Sequence, residues 1–219
     1  MTSTIDATSL LVLRKSPYSE SSLVVSGISP DFGRMSFMLR GARRIGRRQT
    51  GTVDLFRVME VQFRQGPGEL CSWRTADLTD DYAAVAGHPA VFRTATWLAA
   101  FALLNTPAMA PHPRFFHALK TALRRLAEAA LHPPPATWFL HAQTVGACMV
   151  FLEEHGLLPD YAEQPARQVR RRLLLNAAEG CRETPMLTPQ KWRQLAEWIE
   201  AMLLHGECRL PEHAAIAGL

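Results

Sequence analysis

Six arginines fall within RMSFMLRGARRIGRRQTGT, residues 34–52: Arg34, Arg40, Arg43, Arg44, Arg47 and Arg48, with no acidic residue among them. Guanidinium groups at this density repel one another unless anions lie close. The planar fork of each matches phosphate oxygens bidentately, so the chemistry that suits the stretch is contact with a phosphate backbone. Gly41, Gly46 and Gly51 space the arginines and let the chain bend to follow such a strand. Composition alone fits a solvated loop that merely aids solubility equally well.

Two further basic groups could receive an anion. Arg167, Arg170, Arg171 and Arg172 crowd a short run, and Lys120, Arg124 and Arg125 flank the apolar side of a predicted helix. The first could extend a nucleic-acid track, and either could be a solvated helix face. Catalytic chemistry finds little support, and an enzyme is not expected. GxxxxGK[ST] and GxGxxG are both missing. His141 and Cys148 share a helix face at i, i+7, but about 10 Å separates such positions, too far for a nucleophile–base hydrogen bond. Glu153-Glu154-His155 reads as surface at a helix end. The four cysteines form no CxxC pair, and Cys181, Cys208 and His205 lack paired ligand spacing, so neither a metal site nor another cofactor is expected.

The elements that must position these residues fall into two halves. The 219 residues suffice for one large or two small domains, and 47% hydrophobic and 20% charged residues describe a globular chain. The net charge of +4 is less than the arginine stretch alone carries, an asymmetry that favours an anionic partner at one end of the molecule. MTSTIDATSLLVL has no basic region ahead of its apolar run. The most apolar run, 95–104, is about half the ~20 residues of a membrane helix. A soluble protein of the reducing cytoplasm is expected, without a membrane.

Residues 1–80 read as β. Strands are predicted at 8–14, 21–29, 34–40, 53–65 and 69–79, with Pro30-Asp31-Phe32-Gly33 a hairpin turn and Gly66-Pro67-Gly68 another. Alternation puts Met35, Phe37 and Leu39 on one face of the third strand. On the fourth it puts Arg57, Met59, Val61 and Phe63 opposite Val58, Glu60, Gln62 and Arg64. Five short strands with tight turns and one long basic loop suggest a small closed barrel of the OB type, an SH3-like barrel being the structural competitor. Residues 81–219 read as a helical bundle. Helices are predicted at 89–104, 111–132, 137–155 and 188–204, the third apolar nearly all round and so central, with Gly156 as its C-cap. Residues 157–187 show the least regular pattern. The fold class is α+β: an OB-type barrel, then an all-α bundle.

The N-terminal third resembles the RecO family of bacterial recombination mediators. The residues that carry the resemblance are Leu10-Leu11-Val12-Leu13, Tyr18-Ser19-Glu20 leading into Leu23-Val24-Val25, Gly33, Arg40-Gly41-Ala42-Arg43-Arg44, Asp54-Leu55-Phe56 and Glu69-Leu70. FLEEHGLLPDY, residues 151–161, looks like the family segment that precedes a zinc-binding insertion. Many members carry four ligand cysteines beyond that point, where this chain has only Cys181 and Cys208.

The resemblance implies a non-enzymatic role in RecF-pathway repair, in a nucleoid-associated protein. Such proteins bind single- and double-stranded DNA, promote annealing and, with RecR, help load RecA on DNA coated by single-stranded-DNA-binding protein, SSB. Arg34, Arg40, Arg43, Arg44, Arg47 and Arg48, with Trp73 and Arg74, are then the expected DNA contacts. Phe37, Phe56, Phe63 and Trp73 are rings that could stack on bases or fill the barrel, Phe37 and Phe63 falling on the core side by alternation. Family members bind the acidic C-terminal tail of SSB through the helical domain. Lys120, Arg124, Arg125, Arg167, Arg170, Arg171 and Arg172 are the residues here that could receive it. The other class of reading is an adaptor whose barrel contacts a protein and not DNA.

Overall fold

The computed structural model describes residues 5–40, 42, 53–66, 68, 70–132, 135–212 and 215–218. Arg43, Arg44, Arg47 and Arg48 lie outside them. The described residues form two compact units, one of Met1–Ala83 with Thr106–Pro113, the other of Ala84–Asn105 with Arg114–Leu219.

In the first unit, β1 (Asp6–Pro17), β2 (Leu23–Ser29), β3 (Gly33–Leu39), β4 (Arg57–Arg64) and β5 (Leu70–Asp81) close in the order β1-β2-β3-β5-β4. β1 pairs antiparallel with both β2 and β4, which shuts the barrel, and β3 meets β5 in a short parallel ladder. This is the closure of the OB-type barrel rather than of the SH3-like one. Leu10, Val12, Val25, Phe37, Met59, Val61 and Phe63 fill the interior. The alternation expected on β3 holds for Met35 and Phe37, while Leu39 is half-buried. On β4 it fails at Val58, which is fully buried although its neighbours Glu60 and Gln62 on the same parity are exposed. The cause is a break in register between Val58 and Met59, where Thr79 of β5 is the extra residue and donates its hydroxyl to the Val58 carbonyl at 3.1 Å.

Thr106–Pro113 joins the barrel from far along the chain. The Arg34 amide donates to the Pro107 carbonyl at 3.0 Å and the His112 amide to that of Pro30 at 3.1 Å, so the segment lies on the β2–β3 turn. Gly33 makes this approach possible. Its φ is +61°, and a Cβ there would sit 2.3 Å from the Ala110 carbonyl oxygen.

In the second unit, α1 (Pro89–Asn105), α2 (Pro113–Ala130), α3 (Thr137–Glu154), α4 (Pro165–Ala178) and α5 (Pro189–His205) follow in order, with α3 packed against α1, α4 and α5. Every residue of α3 from Leu140 to Leu152 is buried, the polar His141, Gln143 and Thr144 included, and Gly156 ends it with φ +68°. Phe101, Phe115 and Phe151 lock α1, α2 and α3 by edge-to-face contacts of 5.1–6.1 Å. Thr188 caps α5 by accepting from the Lys191 amide. Within 157–187, where the sequence pattern is least regular, α4 is a regular helix of 14 residues that the sequence reading did not place. Its N-terminal half is almost wholly exposed, so no apolar stripe marks it in the sequence. The start signal is Pro165 at its first turn.

Candidate nucleic-acid interface and partner groove

The parallel ladder decides where the basic stretch leaves the barrel. Its last register pair is Met38 with Ser72, so Arg40 and Arg74, each two residues further on, follow the same end of that ladder. Arg40 and Arg74 are both exposed, and the stretch of four further arginines begins just after Arg40. Arg74 owes its direction to a β-bulge. Phe63 pairs with Trp73 and Gln62 with Thr75, which leaves Arg74 as the extra residue on β5. The bulge also flips the parity of the strand, so Trp73 and Ala76 both turn toward the core. Arg34 lies at the opposite end of β3, half-buried beside the docked segment. Arg34 and Arg40 therefore stand at the two ends of one strand, and Arg40 and Arg74 at a shared corner.

Trp73 is half-buried, with its ring edge against Phe37 at 5.2 Å between centroids. Phe37 and Phe63 are fully buried, and Phe56 is 2% exposed, so none of these three can stack on a base. Elsewhere on the barrel, Lys15 pairs with Asp54 at 3.0 Å and Arg57 with Asp81 at 3.0 Å. Burial works to raise the Asp54 carboxyl, but hydrogen bonds from Lys15 and the Leu55 amide, with the charges of Lys15 and Arg57, leave it lower than usual. Both cations are thus engaged with carboxylates.

The two helical clusters differ. On α2, the Arg125 guanidinium turns inward and donates to the carbonyls of Ala177 and Arg182, each at 2.9 Å. Burial, and then the charge of Arg124, lower its pKa below the usual arginine value. Arg125 thus ties α2 to the end of α4 and the chain beyond it, unlike Lys120 and Arg124, with which the sequence groups it. Arg124 pairs with Glu128 one turn on at 2.9 Å, and Lys120 lies over the Phe116 ring at 5.8 Å.

On α4 the arginines divide by helix face. Arg167, Arg170 and Arg171 line a groove between α3, α4 and α5 with a cavity volume of about 180 Å³, while Arg172 points elsewhere. The groove floor is apolar: Met149, Leu158, Leu174, Leu195 and Trp198. Tyr161 forms one wall with the Arg167 guanidinium over its ring at 5.7 Å. Arg171 is tied down, donating through Nε to Glu153 at 3.1 Å, through Nη2 to the same carboxylate, and through Nη1 to the Pro159 carbonyl at 2.9 Å. Arg167 and Arg170 are exposed and have no carboxylate partner among the described residues. An apolar cleft rimmed by cations suits a peptide that carries carboxylates beside an apolar side chain.

Leu195 and Trp198 escaped the sequence reading as groove residues because they share helical spacing with Trp192 and Ile199. Only the latter two, with Ala196 and Leu203, are buried in the core. Glu153 and Glu154 are likewise more than surface. Glu154 accepts from the Arg114 and Phe115 amides at 3.0 Å each, holding the start of α2. Among the described residues no group of three or more His, Cys, Asp or Glu could hold a metal ion, and no helix is long and apolar enough to cross a membrane.

Residues 3–82 match the family model described as Recombination protein O N terminal. The chain is 36% identical over 75 residues to the DNA repair protein RecO of Dechloromonas aromatica, covering 34% of this chain and 31% of that one. It is 32% identical over 152 residues to the DNA repair protein RecO of Alkalilimnicola ehrlichii, 69% of this chain and 59% of that one. To the protein of the same name from Chromobacterium violaceum it is 32% identical over 119 residues, 54% of this chain and 47% of that one. The chain thus spans between about a third and three fifths of the length of these relatives. With the closed five-stranded barrel over the matched residues and the bundle reached by the longest of these alignments, the chain is similar to the RecO family, its residues 3–82 matching that family's N-terminal part.

Proposed function

We propose that this chain is a DNA-binding recombination mediator in RecF-pathway repair, acting without catalysis of its own. In this reading the barrel binds single- and double-stranded DNA and promotes annealing, and the protein works with RecR to help load RecA on SSB-coated DNA. The observation that carries the reading is the corner where Arg40 and the bulged Arg74 leave the barrel at the start of the arginine-rich stretch. Phosphates bound there would meet Arg40 and Arg74, with Arg43, Arg44, Arg47 and Arg48 next in the sequence, and half-buried Trp73 precedes Arg74 on β5. The relatives' printed name, DNA repair protein RecO, agrees with that partner. The groove of the helical unit supplies a site for the acidic C-terminal tail of SSB, with Arg167 and Arg170 for its carboxylates and the apolar floor for its end.

A salt titration of oligonucleotide binding tests the reading. Affinity for a single-stranded oligonucleotide is expected to fall steeply with salt. The variant R43E/R44E/R47E/R48E is expected to bind more weakly and with a shallower slope, since each lost phosphate contact removes close to one unit. Unchanged affinity and slope in that variant would refute it, and weak, salt-insensitive binding by the native chain would favour an adaptor that contacts protein instead.

A further inference from the structure

We propose that Glu153 is a specificity-determining residue of the α3–α4–α5 groove, limiting how much negative charge the groove accepts. This rests on the reading of the groove as a peptide site. Three guanidinium groups line the cleft, but they are not equivalent. Arg171 has Nε and Nη2 on the Glu153 carboxylate and Nη1 on the Pro159 carbonyl, and both side chains of the pair are only 22% exposed. Arg167 and Arg170 stand exposed at the rim. With Glu153 counted, the three positive groups become a net two.

The arrangement separates two tasks. Arg171 positions the chain: its third hydrogen bond holds the Pro159 carbonyl, and so fixes the turn that carries Leu158 and Tyr161 into the cleft. Its charge is answered internally, so it attracts an incoming carboxylate weakly. Arg167 and Arg170 do the attracting, and they face water, where an ion pair is weak and readily exchanged. The groove therefore takes an acidic peptide largely on the fit of its apolar part and with modest electrostatic help. Such a site discriminates against polyanions that lack an apolar end, DNA included, because charge alone does not suffice for binding.

The test uses the full chain and two labelled synthetic peptides, one of aspartates ending in leucine and one with asparagines in place of the aspartates. E153Q keeps the size of the side chain and an acceptor for Arg171 while removing the charge. It is expected to tighten binding of the aspartate peptide about two- to fivefold at low salt, the range of an exposed charge contact, and to leave the asparagine peptide unchanged. The gain is expected to vanish near 1 M salt, where screening acts within about 3 Å. The double variant E153Q/R171Q restores a net two positive charges and is expected to return the aspartate peptide to native affinity. If E153Q weakens both peptides alike, Glu153 serves packing only and the proposal fails while the groove reading stands. If the native chain does not bind the aspartate peptide, or binds it undiminished in R167E/R170E, the groove reading fails and this proposal with it.

Discussion

Phe37 and Trp73 meet edge to face with 5.2 Å between ring centroids and 79° between planes, and Phe37 continues the contact to Phe63 at 5.6 Å. Trp73 is thus one half-buried end of an aromatic chain that runs through the barrel core, Phe32 against Phe63 at 5.4 Å being the other. Full burial of a Trp is worth about 3–5 kcal/mol against Ala. The half-buried ring is therefore expected to cost about 2 kcal/mol in W73A, measured by urea unfolding, and W73L is expected to recover most of that. Oligonucleotide affinity separates the two uses of the ring. W73L is expected to bind single strands at least about fivefold more weakly than the native chain, because stacking contributes about 1–3 kcal/mol per base and leucine offers none. Native affinity in W73L would assign the ring to the core alone.

Gly33 is where the docked segment Thr106–Pro113 comes closest to the β2–β3 turn. Its φ of +61° costs a non-glycine residue about 1–2 kcal/mol, and a Cβ would fall 2.3 Å from the Ala110 oxygen and 2.5 Å from that of Pro107. Both atoms are backbone, so the segment must move to relieve the clash. G33A is expected to destabilise the protein by at least about 2 kcal/mol and to speed hydrogen exchange at the Arg34 and His112 amides, whose acceptors are Pro107 and Pro30. Exchange confined to native rates would show that the turn absorbs the methyl group without releasing the segment.

The barrel was legible because its signals are local. Turn chemistry at Pro30–Gly33, strict alternation around Phe37 and Phe63, and β-rich runs of the right length all act over a few residues, and they agree with one another. What alternation could not reveal were the bulges. An inserted residue such as Arg74 or Thr79 leaves the sequence looking regular while it reverses which side chains face inward. The docking of 106–113 on the barrel was hidden for a different reason, since nothing in an Asn-Thr-Pro helix stop says where the chain goes next. On the helical side, α3 announced itself by being apolar nearly all round. α4 did not, because its N-terminal half is exposed and carries charge where a core stripe would be. The arginines were found by composition, but which of them face a ligand depends on hydrogen-bond partners, and Arg125 and Arg171 were indistinguishable from their neighbours until those partners were known.

Arg125 is the strongest structural case among the basic residues. Its guanidinium satisfies the Ala177 and Arg182 carbonyls, with a longer contact of 3.4 Å to the Thr184 hydroxyl. Removing it strands acceptors around a part-buried site at the end of α4, and an unmet buried acceptor costs about 1–3 kcal/mol. R125M, which keeps the apolar stem, is expected to lose about 2–4 kcal/mol in urea unfolding. By contrast R124A is expected to change stability by less than about 0.5 kcal/mol, its pair with Glu128 being exposed. Equal losses in the two variants would contradict the division of the α2 cluster.

The cysteines make a prediction in pH. Burial pushes the Cys148 thiol well above its ordinary value, and burial likewise raises Cys71 and Cys208. The folded state therefore keeps its proton where an unfolded thiol, with a pKa of about 8.5, gives it up. Below that pH the contribution is complete. As pH rises past it, the unfolded chain binds fewer protons than the folded one, and stability falls by up to about 1.4 kcal/mol per pH unit for each such thiol. Urea unfolding between about pH 8 and pH 10 is expected to show this decline, and C148A to lessen its slope, because the fully buried thiol shifts furthest. Thiol modification gives an independent check at fixed pH. Exposed Cys181 is expected to react with an aromatic disulfide within seconds, and Cys148 only at the rate at which the bundle opens. Rapid modification of Cys148 in the native chain, or a C148A slope equal to the native one, would show that α3 is not the closed centre of the bundle.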